Sequence, residues 1–159
     1  MNPGLIGYLI GLAFAVYWLH VGAVAVGAPY TVPIFAAGSL VILLALWRIW
    51  ANRRRQTPGA RFKLAWYLLA LGGEIVALNV ALLTLPGGDF AIYQAPIIGI
   101  IVGLHFIGLW LATNLRRFLY LSGAMTAINL IALTLPATQL PAMVAGFGSA
   151  VALAVAVSA

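Results

Sequence analysis

The stretch KLAWYLLALGGEIVALNVALLTL, residues 63–85, decides the fold class. After Lys63 it carries one charged side chain, Glu74, and is otherwise almost wholly apolar. A helix that crosses a bilayer needs about 20 apolar residues, because each adds about 1.5 Å across a hydrocarbon core of about 30 Å. The run is long enough. Its apolar residues are continuous rather than alternating, which excludes the dyad pattern of a membrane strand.

On either side of it, five similar runs fill most of the chain: about 4–26, 31–50, 91–113, 116–135 and 140–158. The breaks between them carry turn chemistry, namely Gly27-Ala-Pro29, the polar stretch Asn52 to Pro58, Pro86-Gly-Gly-Asp89, and Pro136 with Pro141. Only Asn114, Arg116 and Arg117 separate the fourth run from the fifth, which predicts a tight turn there. The expected fold is all-α, a single polytopic bundle (residues 1–159) of six transmembrane helices arranged as three hairpins. Composition agrees. The chain is 65% hydrophobic and 6% charged, whereas a soluble domain carries roughly 25% charged residues to cover its surface.

All eight basic residues fall in three short stretches: Arg48 to Arg55, Arg61 with Lys63, and Arg116 with Arg117. They bracket apolar runs as topogenic charges do, so placing every cluster on the cytoplasmic side predicts both termini inside and Asp89 outside. Tryptophans 47, 50, 66 and 110 then gather at the inner interface, and Tyr30, Phe90 and Tyr93 at the outer one. No basic face remains to follow a phosphate backbone, which argues against nucleic acid as a partner. Met-Asn-Pro-Gly at the start has no basic residue ahead of its apolar run. That run is too long for a signal-peptide core and reads as a retained first helix. The expected location is a bacterial inner membrane, with the lipid bilayer as the chief partner.

An internal similarity appears at an offset of 50 positions. Ala77-Leu-Asn79 through Thr84-Leu-Pro86 lies over Ala127-Ile-Asn129 through Thr134-Leu-Pro136, and Gly73 lies over Gly123. The shared Asn, Thr and Pro admit a hairpin duplication, or two helices that simply end alike. Small residues at helical spacing, Gly7 with Gly11, Gly99 with Gly103, and Ala145, Gly148, Ser149 and Ala152, mark faces where backbones approach closely. They suit packing within the bundle, and the same faces would also serve a homodimer.

Few groups can do chemistry. Glu74 sits near the middle of the third run, where a charged side chain costs several kcal/mol unless protonated, paired or hydrated. It reads as a proton-carrying or ligand-binding acid, against a neutral acid bonded to another helix for packing. Counted from the inner helix ends, His105 lies at nearly the depth of Glu74, so an antiparallel neighbour brings them within reach. Such a pair can share a proton near neutral pH. Gln94, eleven residues before His105, shares its helix face. His20, with Tyr17 one turn before it, lies in the outer half of the first helix, and Asn79 and Asn129 lie at about that level. Ser122 and Thr126 share the Asn129 face. Interhelical hydrogen bonds of roughly 0.6 kcal/mol each account for these, and a polar cavity floor would use the same residue types.

Sharper readings fail. With no cysteine there is no iron–sulfur cluster, thiolate metal site or c-type haem attachment. His20 and His105 differ in depth by about 10 Å, too far for one haem iron. No mid-membrane lysine, zinc-protease motif or nucleophile elbow is present. No cofactor and no metal are expected.

The segment Ile101-Val-Gly-Leu-His105-Phe-Ile-Gly-Leu, with Leu115-Arg-Arg-Phe-Leu-Tyr120-Leu-Ser-Gly123, resembles a group of uncharacterised bacterial six-helix membrane proteins. These carry Gly-Leu-His-Phe in helix four and Tyr-x-x-Gly in helix five. Gly108 stands where that group's pattern has proline. The resemblance implies six helices and marks the His105 region, and it brings no mechanism with it. Three functions compete. One is a small transporter or permease-like protein with Glu74 as carrier, His105 as partner and Asn79 and Asn129 as substrate contacts. The second is a structural or accessory subunit of a membrane complex. The third is an intramembrane enzyme on a lipid or isoprenoid, with Glu74 and His105 as acid and base.

Overall fold

A computed structural model describes residues 3–27, 29–52, 63–84 and 92–158, with side chains described from residue 11 onward except 41, 42, 45, 46, 48–50, 52, 157 and 158. The described residues form six helices and no strand: α1 (Pro3–Val26), α2 (Thr31–Asn52), α3 (Leu64–Thr84), α4 (Gln94–Thr113), α5 (Arg116–Leu133) and α6 (Leu140–Ser158). α3 and α4 are long and apolar enough to cross a membrane.

Proline explains where the helix ends depart from expectation. α4 begins at Gln94 rather than 91, with a short 3₁₀ turn at 92–93 before it. Pro96 has no N–H to donate and its ring would strike the carbonyl four residues back, so it is tolerated in the first helical turn and not deeper. α5 stops at Leu133 rather than 135. The Thr134 N–H donates to the Ile131 carbonyl at 3.0 Å and the Thr134 hydroxyl to the same carbonyl at 2.8 Å. Pro136 holds the residue before it away from helical geometry. The break between α4 and α5 is as tight as expected. Asn114 takes the left-handed conformation at φ 56° and its N–H closes on the Trp110 carbonyl at 2.6 Å. An asparagine tolerates that region better than most residues.

Helix neighbours run in a row, α2–α1–α6–α5–α4–α3, with α6 also touching α2 and α4. Each sequence hairpin packs on itself, and α1 against α6 closes the bundle across the chain's two ends. That contact is made by backbone. A side chain at Gly146 would overlap the Gly22 backbone, and one at Gly22 would press on the Phe147 ring at 2.9 Å. The core holds Leu12, Trp18 and Leu19 from α1, Val102 and Phe106 from α4, Met125 from α5 and Leu153 from α6.

α3 stands apart. Among the described residues its only extensive contact is with α4, and Ala81 is its only fully buried residue. Shielded positions Tyr67, Ala70, Leu71, Glu74, Ala77, Leu78 and Ala81 form one stripe at helical spacing. The opposite face exposes Leu68, Leu69, Val76, Val80 and Leu83. Glu74 is the centre of the stripe by which α3 is held.

The small-residue faces are spent inside the molecule. Gly99 lies against the Asn129 amide, and Gly103 against Thr126, so the pair named for close approach seats α5 on α4. Gly148 lies against Ile128. The surroundings of Gly7 fall outside the described side chains, as do the stretches with Arg53 to Arg55, Arg61, Asp89 and Phe90.

Candidate functional site

The antiparallel α3–α4 pair is pinned at one end by its backbone: the Lys63 N–H donates to the Ala112 carbonyl at 2.9 Å. One turn before Ala112 on α4 and two turns after Lys63 on α3, the helices are again in close contact. Gly108 presents its bare Cα to the Ala70 methyl, and any side chain at 108 would overlap it. A proline there would meet the same obstruction. This contact sets the spacing and register of the two helices at the next turn. Glu74 lies one turn beyond Ala70, and His105 one turn before Gly108, so the two meet across the seam.

The His105 Nδ1 lies 3.1 Å from the Glu74 Oε2, with both side chains about nine-tenths shielded, at 11% and 12% exposure. At this distance the two would form an ion pair with the imidazole protonated. The approach is off the line of a ring N–H, so Nδ1 has no aligned hydrogen bond among the described residues. His105 also meets Phe106 edge-on at 5.9 Å, and Phe106 stacks on Phe118 of α5 at 6.2 Å. The imidazole is thus braced by the α4–α5 aromatic contact on one side and faces the α3 carboxyl on the other. From Lys63 to Glu74 is eleven residues, roughly 16 Å of helix, which is half of a hydrocarbon core about 30 Å thick.

The pair has two protonation levels of interest. With one proton between carboxylate and neutral imidazole it has no net charge, whichever group holds the proton. A second proton leaves a carboxylic acid beside an imidazolium and one net positive charge. A carboxyl and an imidazole this close can share or exchange a proton.

The other candidates lie elsewhere. Asn79 sits on the exposed side of α3 and its amide donates to its own helix, at the Ile75 carbonyl, 2.7 Å away. Asn129 is fully buried. Its amide donates to the Met125 carbonyl at 2.8 Å and to the Ser149 hydroxyl at 3.0 Å, tying α5 to α6. Its Oδ1 faces Gly99 and has no hydrogen-bond donor among the described residues. His20 is exposed beside Phe35 of α2, edge-on at 6.0 Å, and Tyr17 is half-exposed beside Trp18 at 5.7 Å. Gln94 opens α4, roughly 16 Å along the axis from His105. The structure therefore brings together Glu74 and His105 and leaves Asn79, Asn129, His20, Tyr17 and Gln94 apart from them. Among the described residues no group of three potential metal ligands occurs.

Sequence reasoning missed Ser149 as the Asn129 partner and Gly22 with Gly146 as the α1–α6 contact. Ser149 had a signal, since an Asn in the α5 stripe wants a polar group on a neighbouring helix. The Gly22–Gly146 pair had none, because α1 and α6 are joined only by the fold.

The chain matches no protein-family model, no curated protein and no solved structure.

Proposed function

We propose that the chain is a multi-pass membrane protein with six spans, both termini cytoplasmic, in a bacterial inner membrane. In this reading it works as a small proton-coupled transporter or permease-like protein. The observation that carries the reading is the Glu74–His105 contact, an acid and an imidazole facing each other between the middle stretches of two helices. An ionisable group there is expensive, and its presence marks proton or substrate passage more often than packing. The membrane reading is supported by large apolar side chains standing exposed on every helix, among them Phe14, Val32, Leu43, Leu69, Leu83, Leu104, Ile131 and Val155. Water would not tolerate so continuous an apolar surface. α3 is the moving part in this reading, because one stripe along α4 holds it and the proton pair lies in that stripe. The resemblance to bacterial six-helix membrane proteins is part of the same proposal.

The test uses proteoliposomes on a solid-supported membrane, stepped through sugars, amino acids, organic cations and carboxylates. A solute-dependent charge movement in the native protein that disappears in Glu74→Gln supports the reading. An equal movement in Glu74→Gln overturns it.

A second reading, an accessory subunit of a membrane complex, is favoured by the outer face of α3. Gly72 leaves that face open, since a side chain there would meet nothing within 4 Å beyond its own helix among the described residues, and exposed Asn79 and Val76 stand beside it. Blue-native electrophoresis of native membranes separates the two readings, since a subunit migrates with a larger complex that α3-face substitutions dissolve.

A further inference from the structure

α5 and α6 do not close on each other along their whole length. A groove of about 620 Å³ runs between them, open to the outside. Its walls are Ala124 and Ile128 of α5 and Phe147, Val151 and Val155 of α6, all apolar, and its only polar lining residues among those described are Arg117 and Tyr120. Ala124 and Ala152, both small, line it, whereas at Gly148 the two helices are already in contact through Ile128.

Its length is informative. Arg117 and Ile128 are eleven residues apart on one helix, roughly 16 Å. That is about half of a 30 Å hydrocarbon core, or one leaflet. In the six-span reading, on which this inference rests, the polar end lies at headgroup level and the apolar end at mid-bilayer. Charge is equally one-sided. Arg116 is exposed next to Arg117, and neither α5 nor α6 contains an acid. The Arg117 guanidinium is steadied over the Phe118 ring, 5.2 Å from its centroid. A guanidinium pairs with phosphate through two parallel N–H donors, and the Tyr120 hydroxyl offers another.

We infer that this groove is a binding site for an anionic phospholipid of the same leaflet as Arg117. Its phosphate lies against Arg117 and Tyr120, and one acyl chain lies along Ala124, Ile128, Phe147 and Val151. Two adjacent cations, on a helix pair whose sequence holds no acid, select a headgroup with net negative charge over a zwitterionic one.

The test is native mass spectrometry of the full chain released from detergent, titrated with 1-palmitoyl-2-oleoyl phosphatidylglycerol or with the matching phosphatidylcholine. The expected result is one site preferring phosphatidylglycerol by about tenfold, or about 1.4 kcal/mol. Arg117→Gln removes the preference, and Ala124→Phe, which fills the groove, removes the bound lipid of either kind. Val151→Phe fills it from the opposite wall should Ala124→Phe fail to fold. Equal affinity for the two lipids, or a preference that survives both Arg117→Gln and the filling variant, overturns the site. A native dimer that Ala124→Phe turns into monomers does so too, because a second copy then occupies the groove. Insertion into phosphatidylcholine nanodiscs keeps the two ideas separate. Failure to insert defeats the six-span reading, whereas insertion without headgroup preference defeats only the lipid site.

Discussion

Replacing Gly99 by alanine places a methyl group on the Asn129 amide, and Asn129 has nowhere to go. It is fully buried and held by hydrogen bonds to Met125 at 2.8 Å and Ser149 at 3.0 Å. Overpacking a closed core costs about 1–3 kcal/mol, offset by the roughly 1 kcal/mol that alanine gains over glycine inside a helix. The net expected loss is about 0–2 kcal/mol. Asn129→Ala loses the bond to Ser149, about 0.6 kcal/mol and at most about 1.7 in a membrane bundle. In the double variant the new methyl enters the space the amide has left, so the overpacking vanishes while the helix-propensity gain remains. The double variant is therefore expected to be no less stable than Asn129→Ala alone, giving a coupling of about 1–3 kcal/mol. The assay is unfolding in mixed micelles by dodecyl sulfate titration, followed through tryptophan fluorescence. Losses that simply add, within about 0.5 kcal/mol, would mean that Gly99 and Asn129 do not touch.

The α3–α4 seam and the topology are open to the same kind of test. His105→Ala leaves the Glu74 carboxyl facing an apolar seam and lowers stability by about 1–3 kcal/mol, the cost of an unsatisfied buried polar group; Glu74→Gln keeps shape and hydrogen-bonding capacity and unfolds at nearly the native dodecyl sulfate concentration. Gly108→Val strikes Ala70 and pushes α3 from α4, so a spin-label distance between Leu68→Cys and Thr113→Cys lengthens, in a chain that has no native cysteine to remove. Reporter fusions at Ala159 and after Gly88 read cytoplasmic and external respectively, and the same side for both contradicts the six-span topology.

The helices themselves were legible because long apolar runs admit one backbone solution, and the Glu74–His105 contact because depth can be counted in residues from the helix ends. Lateral position cannot be counted that way. Asn79 and Asn129 occupy equivalent places in the two similar segments, and each amide bonds the carbonyl four residues back. Yet Asn129 is sealed against α4 and α6, because α5 has neighbours on both sides, while Asn79 faces outward because α3 ends the row. Local sequence sets the shared bond, and the order of helices in the bundle sets the different burial. The Gly99–Gly103 spacing likewise announced a close approach without saying to what. The α5–α6 groove depends on how two helices diverge, which no spacing within either one encodes.

The Glu74–His105 contact inside a lipid bilayer is central to the proposed function, and the composition makes it directly measurable. Glu74 is the only glutamate, so carbon-13 glutamate labels one site, and nitrogen-15 histidine in a His20→Gln background labels His105 alone. Solid-state NMR of the protein in phosphatidylglycerol-containing bilayers should show a dipolar coupling between the Glu74 carboxyl carbon and the His105 Nδ1, as the 3.1 Å approach of Nδ1 to Oε2 requires. The absence of that coupling in folded, bilayer-embedded protein would contradict a proton site shared by α3 and α4.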